Sequence, residues 1–152
     1  MTDAPFLIGA QSAPSQASPT SAGATGSVLV LLQAEAFIEL ALGVAVYRHL
    51  GGTWLMFAVL FAVPDVSMAG YIANPRIGAA LYNFGHTYIV PALLAVAGFL
   101  TATPLLYLVA LIWTTHIGAD RMIGAGLKYT TAFKTTHLRW KAPSSSSSAA
   151  ET

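Results

Sequence analysis

Four long apolar segments constrain this chain more than any other feature of its sequence. Each approaches the ~20 residues that a helix needs to cross a ~30 Å hydrocarbon layer, and only the short connections "RHLGGT", "NPR" and "TATP" separate them. Every backbone polar group in lipid must be bonded internally, which favours helices over open sheets. The sequence therefore predicts an all-α integral membrane bundle of four antiparallel transmembrane helices, at about 28–47, 54–73, 77–100 and 104–124.

The composition favours a membrane protein over a soluble helical bundle. Hydrophobic residues make up 55% of the 152 residues and charged residues only 9%, whereas soluble domains usually carry about 25% charged residues. A soluble helix would show a polar stripe along its length, but these segments are apolar nearly all round. The chain has no cysteine, which excludes disulfides and thiolate metal sites. A net charge of +1 without a concentrated basic patch indicates no nucleic-acid partner.

The two ends of the chain differ in composition from the apolar segments. Residues 1–27 are rich in Ala, Ser, Pro, Thr and Gly and contain no Lys or Arg, and residues 142–152 are rich in serine. Such low-complexity sequence has too few apolar residues to form a core. We therefore predict two disordered tails outside a transmembrane domain at 28–126 and the segment that follows it. The missing basic residues also argue against a signal peptide.

The positions of the basic residues predict the orientation in the membrane. With four spans, both termini lie on the same side, and that side carries every Lys and Arg except Arg48. The positive-inside rule then places both termini in the cytoplasm. Residues 127–141 mix Lys, Arg and His with Tyr, Phe and Trp, which is typical of an interfacial anchor on the anionic inner leaflet.

Ionisable residues occur at a common depth in all four predicted spans. Counted at 1.5 Å per residue from the cytoplasmic end of each helix, most of them lie roughly 10–16 Å into the membrane, and the outer halves carry no charge. Inserting one Asp, Lys or Arg at a helix centre costs ~2.5–3.5 kcal/mol, so such groups are expected to be functional. We predict one buried cluster of candidate catalytic residues: Glu35, Glu39, Asp65, His86, His116 and Asp120.

Two prolines at this depth predict interruptions of the helices. Pro64 and Pro91 lack the N–H that would bond the carbonyl four residues earlier. Freed carbonyls are tolerated in lipid only where neighbouring helices or a wet cavity satisfy them. Small residues such as Gly78, Gly85 and Gly118 let helices approach closely. The polar layer is therefore expected to be compact.

Three segments of the sequence resemble a known family. "PDVSMAGY", "GAALYNFGHTYIVP" and "HIGADRMIGAGLKYTTAFKTTHL" are similar, in order and spacing, to small bacterial integral membrane proteins of domain-of-unknown-function family 4260. The resemblance covers roughly residues 29–138. It implies a multi-pass protein of the bacterial cytoplasmic (inner) membrane. It supports the four-helix fold and assigns no catalytic residue.

Metal-dependent catalysis is the first functional hypothesis. His86 and His116, with Asp120 or Asp65, would supply the three protein ligands of an open zinc site. One of the two glutamates of the first span would then act on a bound water. Because the chain has neither an H-E-x-x-H motif nor the paired Glu-x-x-His of di-iron bundles, zinc and iron both stay open as the divalent cofactor.

The expected partners of this cluster are the lipid bilayer and a lipid or lipid-soluble ligand entering from the inner leaflet. Arginine and lysine at that interface would hold a phosphate group, and neighbouring Tyr and Asn side chains would position the rest of the ligand. The candidate substrate-binding residues are Tyr82, Asn83, Arg76, Arg121 and Lys128.

Two other functions use the same residues differently. Chains of Asp, Glu and His inside a bundle mark proton and ion routes, and His exchanges a proton near neutral pH. A relay or small transporter is therefore an alternative, although the outer half has no polar path and four helices are few unless the chain forms a homo-oligomer. A non-catalytic membrane subunit would need the polar cluster only as a structural network. No G-x-G-x-x-G, P-loop or G-x-S-x-G motif supports nucleotide binding or α/β-hydrolase chemistry.

Overall fold

Helices account for nearly all of the structure that the chain forms. The computed structural model describes residues 24, 26–129, 136 and 138. Within this part, no strand occurs apart from one isolated β-bridge between Lys128 and Thr136. The predicted tails, except Gly26, Ser27 and residue 24, lie outside the described residues. The helices are α1 (Gly26–His49), α2 (Trp54–Phe61), a 3₁₀ helix (Pro64–Ile72), α3 (Pro75–Gly85), α4 (Ile89–Leu100) and α5 (Pro104–Met122).

Three stretches of the described chain are long and apolar enough to cross a membrane: Gly26–His49, Trp54–Ile72 and Pro75–Leu100. At most 22% of the apolar window in any of them is buried inside the protein, so their hydrophobic side chains face outward. Such continuous apolar surface marks a membrane or partner interface. α5 forms a helix of 19 residues but is not among these three, because His, Asp, Arg and Thr side chains lower the hydropathy of its second half. Its crossing of the membrane stays a prediction.

The second and third predicted spans are interrupted near the two prolines. α2 ends at Phe61, and the chain continues from Pro64 as a 3₁₀ helix. In the third span, α3 ends at Gly85 and α4 begins at Ile89, two residues before Pro91. The carbonyl of Gly85 accepts a hydrogen bond from Trp113 Nε1 at 2.7 Å. A side chain from α5 thus satisfies a backbone group that the interruption exposes.

Side-chain caps explain where two of these helices begin. Thr53 accepts a hydrogen bond from the amide of Met56 and starts α2. Asn74 accepts from the amide of Ile77 at 2.9 Å, and Pro75 occupies the first turn of α3. An Asn cap followed by proline is a strong helix start, which is why α3 begins two residues before the predicted position 77.

α5 is the central helix of the bundle. It packs on α1, α4 and α2, while α3 packs on the 3₁₀ helix. The approach of α1 to α5 is close, since a Cβ added at Gly43 would overlap the Thr115 methyl group and one at Gly118 would lie 3.3 Å from the carbonyl oxygen of Ala36. His116 lies between Thr115 and Gly118 on the same helix, so tight packing fixes its position.

The chain after α5 folds back against the helices. The carbonyl of Met122 accepts a hydrogen bond from Gln33 Nε2 of α1 at 2.9 Å. Asn83 then holds the backbone of Lys128 with two hydrogen bonds, one from its Nδ2 at 2.9 Å and one to its Oδ1 at 2.7 Å. Leu138 is only 4% exposed. Lys128 and Leu138 of the predicted interfacial segment 127–141 therefore pack on the protein, whereas Tyr129 is 42% exposed. Most of that segment lies outside the described residues.

Candidate functional site

Three helical elements bring one aspartate and two histidines together. Asp65 comes from the start of the 3₁₀ helix, His86 from the residue after α3, and His116 from α5. One ligand atom from each lies within 4.8 Å of the other two. Both histidines are 3% exposed, whereas the Asp65 side chain is 51% exposed. We call these three residues the His/Asp triad.

The distances within the triad match those of a metal site. The Nε2 atoms of His86 and His116 are 3.2 Å apart, and Asp65 Oδ1 lies 3.5 Å from the first and 3.6 Å from the second. The point equidistant from the three atoms is about 2.0 Å from each, which is the length of Zn–N and Zn–O bonds. A divalent ion at this point would be at bonding distance from all three ligand atoms.

A backbone hydrogen bond fixes the protonation of the His86 ring. Its Nδ1 lies 2.8 Å from the carbonyl oxygen of Tyr82, and a carbonyl can only accept, so Nδ1 carries the proton. A neutral imidazole then has its lone pair on Nε2, facing the triad. Metal-binding histidines usually donate their other N–H to such an acceptor. His86 is thus oriented as a ligand.

Asp120, the alternative third ligand of the sequence hypothesis, lies at the edge of the triad. Its Oδ2 is 3.5 Å from His86 Nε2 and accepts a hydrogen bond from the Tyr82 hydroxyl at 2.8 Å. The Tyr82 ring stacks on His86 with centroids 3.7 Å apart. Of the two alternatives, the geometry favours Asp65 as ligand and gives Asp120 a neighbouring position.

An aromatic column covers the triad on the side of α2. Phe61 meets the His116 ring edge-on with centroids 5.0 Å apart, and Phe57 stacks on Phe61 at 5.4 Å. Tyr47 and Trp54 pack edge-on against Phe57. These rings form a row of contacts from His116 to Tyr47 near the end of α1.

Three of the predicted substrate-binding residues meet beside the triad. Lys128 Nζ lies 4.2 Å from the ring centroid of Tyr82 and 5.4 Å from that of Tyr71, and Asn83 holds the Lys128 backbone. Burial lowers the pKa of Lys128, while the carboxylates of Asp120 and Asp65 act to raise it. The Lys128 ammonium group therefore lies beside the carboxylates at the partly exposed edge of the triad. Arg76 is exposed at the start of α3 and is not part of this arrangement.

The two glutamates of α1 belong to a second group, away from the triad. Glu39 accepts a hydrogen bond from the Tyr88 hydroxyl at 2.5 Å, and the Arg121 guanidinium lies 4.1 Å from the Tyr88 ring centroid. Glu35 lines a cavity together with Glu39, Tyr88 and Arg121. Arg121 follows His116 by five positions, which turns it roughly 140° around α5. The predicted single cluster is thus divided between two sides of α5.

Sequence reasoning did not single out Tyr88, Phe61 or Trp113. Tyr88 joins the second group, Phe61 contacts His116, and Trp113 bonds the carbonyl of Gly85 beside His86. Aromatic residues are common throughout the spans, so their types carried no signal. Tyr88 lies two residues after His86, and this position was the one indication in the sequence that it belongs near the site.

The comparison with protein-family models gives a match. The family model described as Domain of unknown function (DUF4260) matches residues 29–140. Neither the curated proteins nor the solved structures give a significant match. The match covers well over half of the chain and includes every residue of the triad and of the second group around Tyr88. The chain belongs to the DUF4260 family of domains of unknown function.

Proposed function

We propose that this protein is an integral membrane metalloenzyme in which Asp65, His86 and His116 bind one zinc or iron ion. The single observation that supports this most strongly is the equidistant point about 2.0 Å from all three ligand atoms. Three protein ligands leave a coordination position open, as catalytic zinc sites require. The substrate would be a lipid or lipid-soluble molecule, because the site lies among helices whose surfaces are apolar.

The proposed orientation places four spans in the membrane with both termini in the cytoplasm. Three stretches have the length and hydropathy for this, and α5 would form the fourth. The basic residues of the described chain then lie on the cytoplasmic side, apart from Arg48. The triad lies in the same half, and Asp65 is its most exposed member, so substrate would enter from the inner leaflet.

The residues around the triad have separate roles in this proposal. When bound, the ion would lower the pKa of a coordinated water towards neutrality. Asp120 is the nearest further carboxylate, 3.5 Å from His86 Nε2, and is placed to accept a proton. Tyr82 holds Asp120 by its hydroxyl. Lys128 would bind an anionic group of the substrate near the Tyr82 ring.

Metal analysis of the full-length protein purified in detergent tests the proposal. We expect about one zinc or iron per chain in the native protein and less than a tenth of that in His116→Gln, because an open zinc site has only three protein ligands. His49→Gln is the matched control, since His49 is an exposed histidine at the end of α1. A native protein that stays metal-free after incubation with either ion would overturn the proposal.

A metal-free proton relay is the second candidate function. The two Nε2 atoms are 3.2 Å apart, within hydrogen-bond distance, so the histidines can pass a proton if His116 carries one on Nε2. The aromatic column argues against a continuous path. Proton flux into proteoliposomes that is lost in His116→Gln, together with no metal in the native protein, would favour the relay.

A further inference from the structure

A polar cavity lies between α1 and α5, on another side of α5 from the triad. It measures about 210 Å³, and its charged lining residues are Glu35, Glu39 and Arg121. Arg121 forms no ion pair with either carboxylate in the part of the chain that the structure describes. Both Arg121 and Glu39 are instead held by Tyr88. The cavity thus presents one positive and two negative groups, of which Arg121 and Glu39 are held in place and Glu35 is exposed.

An apolar groove lies against the same tyrosine. It measures about 360 Å³ between α1, α4 and α5, and Tyr88 lines both spaces. Alanines on α4, Ala92 and Ala95, leave the groove open, and Val46 and Leu111 form its walls. The lining is almost entirely apolar, so the groove suits a hydrocarbon chain.

The two spaces together extend over the length of one lipid molecule in a single leaflet. Along α5, the groove residues Thr114 to Tyr107 lie roughly 10–21 Å from Arg121 at 1.5 Å per residue. One leaflet contributes about half of the ~30 Å hydrocarbon core. A lipid whose headgroup contacts Arg121 would therefore extend its acyl chain into the groove, in the leaflet nearer the start of α1.

We propose that this cavity and groove bind one phospholipid whose headgroup carries a primary ammonium group, that is, a phosphatidylethanolamine. Arg121 would bind the phosphodiester, since guanidinium groups pair well with phosphate oxygens. Glu35 and Glu39 would accept hydrogen bonds from the ammonium group. An anionic lipid would meet an excess of carboxylates, and a quaternary ammonium group has no N–H to donate. The charges of the cavity therefore select a zwitterion with free N–H groups.

This site is independent of the proposed metal chemistry. None of its lining residues belongs to the His/Asp triad. The inference depends on the membrane location of the helices and not on a bound ion. Loss of the lipid and loss of the metal are therefore separable outcomes.

Native mass spectrometry of the full-length protein tests lipid binding. The detergent micelles would contain equal amounts of phosphatidylethanolamine, phosphatidylcholine and phosphatidylglycerol with identical acyl chains. We expect one phosphatidylethanolamine per chain, retained in preference to the other two. Arg121→Gln should reduce its retention roughly tenfold, because a charge-assisted bond to phosphate is lost. Glu35→Gln should reduce the preference over phosphatidylcholine.

Two further variants distinguish lipid binding in the groove from general contact of lipid with the helices. Ala95→Phe fills the groove and should reduce retention, whereas Ala41→Phe, on an exposed position of α1 outside the groove, should not. Metal content and thermal midpoint are measured on each variant.

Because Glu35 is exposed and makes no hydrogen bond in the described residues, its variant tests headgroup selection even if Arg121→Gln fails to fold. Equal retention of the three lipids, or equal loss in Ala41→Phe and Ala95→Phe, would overturn the proposal.

Discussion

The carbonyl of Tyr82 determines what the His86 ring can do. By accepting the Nδ1 proton, it leaves Nε2 free to bind an ion or to accept a hydrogen bond from His116. Within the described residues, no such bond fixes His116, whose Nδ1 is buried without a hydrogen-bond partner. A metal ion on Nε2 would hold the His116 ring, and the ring proton would then lie on Nδ1.

Asp65 and Asp120 are expected to differ in their effect on metal affinity. Asp65→Asn removes a ligand and should weaken zinc binding by more than about 100-fold, whereas Asp120→Asn changes a neighbour of His86 and should cost about 10-fold or less. Competition with a chromophoric chelator measures both affinities. If Asp120→Asn loses the metal as completely as Asp65→Asn, then Asp120 is a ligand as well, and the assignment of a neighbouring role to it is wrong.

Metal removal is expected to destabilise the protein, and acidification to release the metal. A ligand present at 100 times its Kd stabilises the folded state by about 2.7 kcal/mol. Chelation should therefore lower the thermal midpoint of the native protein and leave that of His116→Gln unchanged. Because the histidine ligands must be neutral to bind, the difference should shrink on acidification. An unchanged midpoint after chelation would contradict the proposal.

At the scale of elements, the close contact of α1 and α5 controls the triad. A side chain at Gly43 would meet the Thr115 methyl group, and Thr115 is the neighbour of His116. Thr115 also donates its hydroxyl to the carbonyl of Ile112 at 2.7 Å. Displacing α5 at this point would shift one ligand of the triad relative to the other two.

A pair of substitutions tests that contact. Gly43→Ala should destabilise the protein by about 1–3 kcal/mol through overpacking and should weaken metal binding. Thr115→Ser removes the methyl group and keeps the hydroxyl, so it should restore both properties in the double variant. Thermal unfolding and metal titration measure the recovery. Additive losses in the double variant would show that the two residues do not interact.

At the scale of the whole molecule, the predicted topology can be read by labelling. The chain has no cysteine, so single cysteines report without background. His49→Cys should react with an impermeant thiol reagent in intact cells, and Ala73→Cys should react only after permeabilisation. Ala150→Cys should behave like Ala73→Cys if α5 crosses the membrane. The opposite pattern at Ala150 would leave three spans.

The height of a residue along its helix follows from the sequence, but its direction around the helix does not. The ends of the apolar segments place His116 and Glu39 in one layer, because rise per residue is constant. Their separation depends on how α5 is rotated against α1, and small residues such as Gly43 and Gly118 set that rotation only in the packed bundle. The choice of Asp65 over Asp120 likewise depends on the 3₁₀ helix after Pro64, whose turn differs from that of an α-helix. The spacing of residues along the chain gives neither the rotation of α5 against α1 nor the turn of the 3₁₀ helix.

The aromatic column beside His116 limits the directions from which an ion can reach the proposed site. Rings follow one another from His116 towards the far end of α1, whereas the Asp65 side chain is half exposed, so we expect an ion bound by the triad to exchange on the side of Asp65. In a membrane, an ion that reached the triad from that side would cross only part of the electric field, so the membrane potential would do only part of its full work on the ion. Occupancy would then follow the free metal concentration on that side and depend only weakly on the membrane potential.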